Sequence, residues 1–154
     1  MKKTAVILIA EDNQTNFELI TRNLQRAGIT NEVQHLTDGR QTLDFIFEDI
    51  NGPAHQHNKE YMLLLNTDIS KADGIEVLRK LKQDSELKKI PVIALTKTDD
   101  PSKIELCNDL GCSICVVQPS NSESFSETIR KIGLFLAVVE LPQINVNGQN
   151  QGQA

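Results

Sequence analysis

The sequence predicts an α/β protein built on a parallel sheet, and two observations carry the prediction. Runs of strand length at Thr4 to Ala10, Tyr61 to Leu65 and Ile90 to Leu95 are almost continuously apolar, as strands covered on both faces are. They alternate with segments whose apolar residues recur at spacings of three and four, the period of helices lying over such a sheet.

Taken in order, the first strand ends at Ala10 and leads into a helix with Phe17, Ile20, Leu24 and Ala27 on one face, terminated by Gly28. Glu32 to Leu36 mixes apolar and polar residues, as an edge strand does, and Leu43, Ile46, Phe47 and Ile50 stripe the next helix. Gly52 to Glu60 is a polar connector, after which the third strand runs into Asn66. Asp73-Gly74 opens a helix carrying Ile75, Leu78 and Leu81, and the strand at Ile90 to Leu95 follows. Ile104, Cys107 and Leu110 mark a fourth helix that ends at Gly111. Ile114 to Val117 is a fifth strand, and Phe125, Ile129, Ile132 and Leu136 stripe the last helix. The result is five successive βα units without internal repeats.

Composition narrows the function classes. The 154 residues suit one domain, with 39% hydrophobic and 24% charged residues, as in ordinary globular proteins. Sixteen basic against 21 acidic residues give a formal charge of -5, which argues against a nucleic-acid partner. The longest apolar stretches fall short of the roughly 20 residues that cross a bilayer, so no membrane span is expected. Met1-Lys2-Lys3 is followed by too short an apolar segment for a signal peptide, so the chain reads as cytoplasmic.

Cys107, Cys112 and Cys115 are an odd count without an export signal, so reduced thiols are expected. Cys112 and Cys115 form a C-x-x-C, but no second pair completes a zinc site, and small packing residues are the favoured reading. His55 and His57 lack a third ligand nearby and read as solvated loop residues. No dinucleotide, Walker or nucleophile-elbow motif appears, so catalysis is not expected.

The polar residues with chemical promise all follow strands: Glu11 and Asp12 after the first, Asn66 after the third, Thr96 after the fourth and Gln118 after the fifth. Open parallel sheets bind ligands beyond the carboxyl ends of their strands, so these five residues are expected to share a pocket. Polar residues also terminate strands for purely structural reasons.

Glu11-Asp12, the segment Asn66-Thr67-Asp68-Ile69-Ser70-Lys71-Ala72-Asp73-Gly74, Ala94-Leu95-Thr96 and Gln118-Pro119 stand at the spacings of signature elements in a known family. Over nearly its full length the chain resembles the receiver domains of two-component response regulators. The resemblance implies a flavodoxin-like three-layer fold with strand order 2-1-3-4-5 and a cis Gln118-Pro119 peptide. The ending Phe135-Leu136-Ala137-Val138-Val139-Glu140-Leu141-Pro142 is most similar to single-domain regulators that partner cyanobacterial phytochrome kinases.

In that family an aspartate at the end of the third strand takes a phosphoryl group from a histidine. Mg²⁺ on the acidic pair and a lysine after the fifth strand neutralise it. Here the acceptor position, eight residues before Gly74, is Asn66, whose neutral amide cannot form the acyl phosphate. The lysine position holds Gln118, and Cys115 stands where the family carries an aromatic switch residue; its hydroxyl partner, Thr96, is retained. Loss of the aspartate together with the lysine leaves the formal charge of the pocket unchanged. That paired loss favours a natural pseudo-receiver, acting by contact, over a single engineered change.

The resemblance also gives Glu11, Asp12 and the backbone carbonyl of Asp68 as metal ligands, with Mg²⁺ binding weak or absent because Asn66 is neutral. The rival reading is a displaced acceptor: Asp68 lies two residues past Asn66 and returns a carboxylate to the vicinity, though without a lysine at position 118.

Leu134, Phe135, Leu136, Val138 and Val139 occupy more than one helical face. A homodimer interface of Leu134, Phe135, Val138, Val139 and Leu141 is expected; the alternative is that this segment folds back on its own domain. The receiver domain is placed at 1–141, and 142–154, rich in Asn, Gln and Gly, is expected to be disordered.

Overall fold

The computed structural model describes residues 1–50, 60–71, 73–97 and 101–144. Five parallel strands, β1 (Val6–Ala10), β2 (Val33–Leu36), β3 (Tyr61–Asn66), β4 (Val92–Thr96) and β5 (Ile114–Val117), form one sheet in the order β2-β1-β3-β4-β5. Four α-helices lie in the connections, α1 (Gln14–Arg26), α2 (Gly39–Asp44), α3 (Gly74–Gln83) and α4 (Pro101–Asp109), and α5 (Ser122–Leu136) follows β5. The architecture is the flavodoxin-like one, with β1 and β3 in the centre and their carboxyl ends side by side, Ala10 opposite Leu65.

Strand alternation sends each apolar run into two cores. Val6, Leu8, Ala10, Leu63, Leu65, Val92 and Ala94 face α2, α3 and α4, while Ile7, Ile9, Met62, Leu64, Ile93 and Leu95 face α1 and α5. The central strands are buried on both faces, which is why they read as unbroken apolar segments, and β5 at the edge is mostly half-exposed. Asn13, Asp38, Asp73 and Asn121 each accept a bond from a first-turn N–H, fixing the start of α1, α2, α3 and α5. Gly28 and Gly111, with φ of +89° and +91°, end α1 and α4 in the left-handed region that glycine enters without a Cβ penalty.

Three expectations change. The stripe Leu43, Ile46, Phe47 and Ile50 does not lie on one α-helix: α2 gives way to a π-helical segment, Phe45–Ile50. Leu43, Ile46 and Ile50 stay buried, but the wider turn carries Phe47 to the surface at 36% exposure. No peptide bond is cis among the described residues, so Gln118-Pro119 is trans, the state favoured by about 0.5–1 kcal/mol even before proline. The third change concerns the end of the chain.

After α5 the chain does fold back. Leu141 is buried in the α1/α5 core with Val139 packed against it, and Ile144 is buried in the opposite core. The packed chain therefore continues beyond 141, and Leu141 belongs to its own domain's interior rather than to a free surface. Ile144→Ala is expected to cost about 3 kcal/mol in urea unfolding, as removal of a fully buried aliphatic side chain does, whereas a disordered tail would give no change. Residues 145–154 and the loop with His55 and His57 lie outside the described residues.

Candidate functional site

The carboxyl ends of β1 and β3 meet in a direct side-chain contact. Glu11, one residue past β1, is 1% exposed, and its Oε2 accepts Nδ2 of Asn66 at 3.1 Å and the backbone N–H of Asn13 at 3.0 Å. Its Oε1 is buried with no hydrogen-bond partner among the described residues. Burial pushes the Glu11 carboxyl above its ordinary 4.5; the N–H of Asn13 and the Asn66 amide oppose the shift, and neighbouring Asp12 adds to it. A group that holds its proton more tightly when folded costs stability once it ionises. That cost is absent near pH 4 and grows as pH rises through the folded pKa. In EDTA, Glu11→Gln is expected to be more stable than the parent at pH 7.5 and equal to it near pH 4; a parent whose stability rises between those values would contradict this.

Asn66 is bonded through both atoms of its amide. It is 2% exposed, gives Nδ2 to Glu11, and accepts the backbone N–H of Asp68 on Oδ1 at 2.8 Å, turning the chain as it leaves β3. An aspartate here would set two carboxylate oxygens about as close as that hydrogen bond; the amide replaces repulsion with a donor. Asp12, by contrast, is exposed and accepts the N–H of Ser70 on Oδ2 at 3.1 Å, tying the β1–α1 turn to the β3–α3 loop. That loop is also held by Gly39, which donates to Ser70 O at 2.8 Å, and it includes Lys71 at φ +56°, a strained conformation for a side chain with a Cβ.

Asp68 spans a second gap. One carboxylate oxygen accepts the backbone N–H of Lys97, just past β4, at 3.1 Å, and the other is paired with Nζ of Lys103 on α4. Burial alone would raise its pKa, but the Lys103 hydrogen bond, the Lys97 N–H and the two ammonium charges together hold it below the usual range. Asp68 thus joins the β3–α3 loop to the β4–α4 loop and to α4.

Thr96 at the end of β4 is wholly buried, and its carbonyl accepts the N–H of Gln118 at 2.6 Å. The Gln118 side chain is half-buried, and its Oε1 has no hydrogen-bond partner among the described residues. Of the five residues expected at the sheet edge, Glu11 and Asn66 touch, Asp12 meets the loop beyond them, and Thr96 and Gln118 are linked to each other through the backbone. Cys115 on β5 is half-exposed and packs against the core layer that contains Cys107 of α4.

This parallel sheet, with an acidic pair after β1 and a threonine after β4, has direct counterparts. The response regulator receiver domain profile matches residues 7–130. The chain belongs to the receiver domain family. Response regulator Rcp1 of Synechocystis is 28% identical over 138 residues, which are 89% of this chain and 92% of Rcp1. A receiver domain from Rhodospirillum rubrum superposes with a TM-score of 0.84 at 34% identity, covering 90% of this chain and 98% of that one. The Mn²⁺-bound form of Rcp1 gives 0.77 at 27% identity, covering 89% and 98%. The phosphorylated cyanobacterial phytochrome response regulator RcpA gives 0.78 at 27% identity, covering 89% and 97%.

This receiver carries donors suited to a divalent cation. The orphaned Oε1 of Glu11 and the carboxylate of exposed Asp12 are hard oxygen ligands, and the backbone carbonyl of Asp68 would complete the protein's share. Asn66 Oδ1 is already turned to the Asp68 N–H and adds no charge. A cation held there would screen the two acidic side chains.

Two residues of this receiver escaped the sequence. Lys103 brings an ammonium to Asp68 from α4, a contact between separate elements to which no spacing rule points. His35 on β2 holds the Glu11 carbonyl at 2.8 Å through Nε2 and stacks on Phe17 with ring centroids 3.6 Å apart, fixing the β1–α1 turn. Among the described residues no group of three or more acidic, histidine or cysteine side chains is arranged to hold a metal, and no helix is long and apolar enough to cross a membrane.

Proposed function

We propose that this receiver acts as a single-domain, cytoplasmic pseudo-receiver that signals by protein contact without accepting a phosphoryl group and without catalysing a reaction. One observation carries the reading: at the end of β3 stands an amide whose nitrogen and oxygen are both committed, to Glu11 and to the Asp68 N–H. A carboxylate nucleophile is absent from that position, and Gln118 offers no cation to a transferred phosphoryl group. Divalent metal would then be dispensable, with weak Mg²⁺ binding at Glu11, Asp12 and the Asp68 carbonyl.

The test is incubation with acetyl phosphate and Mg²⁺ followed by intact mass. An unchanged mass supports the reading. The displaced-acceptor alternative gains one observation, the Lys103 ammonium beside Asp68, although both oxygens of that carboxylate already accept hydrogen bonds. A phosphoryl adduct that disappears in Asp68→Ala would establish the alternative and overturn the pseudo-receiver.

The partners proposed are a phytochrome-type histidine kinase, on the strength of the likeness to RcpA, and a second copy of this chain. Leu134, Phe135 and Val138 project from the end of α5 at 57%, 43% and 77% exposure, and Leu106 on α4 and Val117 on β5 are exposed as well. These apolar side chains favour a covered surface in the assembled state. Because Ile132, Leu136 and Leu141 are core residues, the dimer is tested by surface charge rather than by truncation. Light scattering is expected to give a dimer for the parent and a folded monomer for Phe135→Glu/Val138→Glu; a monomeric parent ends the dimer proposal.

A further inference from the structure

The helices are not anchored alike. α3 buries Ile75, Val77, Leu78 and Leu81, and α5 buries Phe125, Ile129, Ile132 and Leu136, whereas Cys107 is the one fully buried side chain of α4. Ile104 is only half-buried, and Leu106 is 37% exposed. A helix that removes so little apolar area from water is held weakly by packing. Its placement depends on other ties.

The structure supplies such a tie in the first turn of α4. There the Lys103 ammonium pairs with the Asp68 carboxylate of the β3–α3 loop, the two side chains being 24% and 32% exposed. In every other ion pair among the described residues, at least one side chain is 42% or more exposed. The second Asp68 oxygen accepts the N–H of Lys97 at 3.1 Å, so one carboxylate grips both the exit of β4 and α4 itself.

Asp68 is the fixed half of this contact. Its own N–H is held by Oδ1 of Asn66 at 2.8 Å, and buried Ile69 donates to the Asn66 carbonyl at 3.2 Å. Ser70, next in the loop, is bonded to Asp12 through its N–H and to Gly39 through its carbonyl. We propose that Asp68 and Lys103 form a latch that fixes α4 against the carboxyl edge of the sheet, with Asn66 acting through Asp68 to set the helix from the end of β3. Because α4 carries exposed Leu106, the latch also fixes part of the apolar surface. That link to signalling rests on the contact-module reading; the latch itself does not.

Fully exposed ion pairs contribute little, since water solvates both partners and salt screens them. Here both partners are largely shielded, and the second bond to the Lys97 N–H aligns the carboxylate.

The experiment follows amide hydrogen exchange of the full chain in EDTA. Lys103→Met keeps the aliphatic stem and removes the ammonium; α4 amides are expected to exchange about fivefold faster, with α3 and α5 unchanged. Lys103→Arg should restore protection. Asp68→Asn should match Lys103→Met, and the double variant should exchange no faster than either single one, as two halves of one latch require. Parent α4 exchange should quicken at about 1 M NaCl, where the screening length falls to about 3 Å, and that of Lys103→Met should not. Arg130→Met, which breaks an exposed pair on α5, should leave α4 unaffected. Unchanged α4 exchange in Lys103→Met, additive losses in the double variant, or a parent insensitive to salt would each overturn the latch. A phosphoryl adduct on Asp68 in the acetyl phosphate test would instead end the contact-module reading and leave these exchange results standing.

Discussion

Asn66→Asp is expected to lower stability by about 2 kcal/mol at pH 7.5 in EDTA, and to regain it as pH falls or Mg²⁺ is added. The substitution removes the Nδ2 donor and puts a carboxylate 3.1 Å from Oε2 of Glu11, which is already buried and already raised above its ordinary pKa. Two adjacent carboxylates cannot both ionise cheaply, so one takes up a proton, and its folded pKa lies above its unfolded one. The stability lost on ionisation is therefore recovered below that folded pKa, the same sign as for Glu11 alone. Urea unfolding at pH 5 and 7.5 measures it. A variant as stable as the parent at pH 7.5 would mean that the Glu11–Asn66 bond is not what accommodates the buried acid.

The same change probes function when Gln118→Lys is added. The double variant restores a nucleophile and a cation to a fold whose acidic pair and Thr96 are in place. Acetyl phosphate with Mg²⁺ is expected to add one phosphoryl group, lost on treatment with hydroxylamine, while the parent stays unmodified. If the double variant also stayed unmodified while folded, these two positions would not account for the difference from a phosphorylatable receiver.

Gly74→Ala has the largest expected structural effect. A Cβ at the first residue of α3 would stand 2.5 Å from Cα of Thr67 and 2.9 Å from the carbonyl oxygen of Asn66. Both are backbone atoms at the end of β3, and neither can rotate away as a side-chain tip does. The helix or the strand end must move, at a cost of about 3 kcal/mol or more, corresponding to a fall of about 10 °C in Tm. Because Asn66 holds Glu11 and Asp68 from that same strand end, hydrogen exchange of the Asp68 amide should rise with the loss. A change of Tm under 2 °C would show that the approach is relieved cheaply, against the stated expectation.

The helix boundaries show why much of the fold was legible. Gly28, Gly111 and Asp73-Gly74 act within a few residues of their own positions, and the apolar runs of β1, β3 and β4 follow from burial on both faces. Local rules suffice for such features. The π-helical segment after α2 was not legible, because its apolar residues fit an ordinary helix and only packing selects the wider turn that releases Phe47. Leu141 and Ile144 were misplaced for a similar reason: two apolar residues separated by Pro142 and Gln143 show no period, and only the fold sends Leu141 into one core and Ile144 into the other.

At the candidate site, the chain order named Glu11, Asp12, Asn66, Thr96 and Gln118, since residues that follow parallel strands must gather at one edge of the sheet. It also determined the absence of a carboxylate at 66 and of an ammonium at 118, because side-chain identity alone sets that chemistry. Only the tertiary structure decided what the residues there touch: Asn66 on buried Glu11, and Lys103 of α4 on Asp68. Each of these contacts crosses between separate elements, and its geometry depends on helix placement over the sheet, which no local spacing encodes.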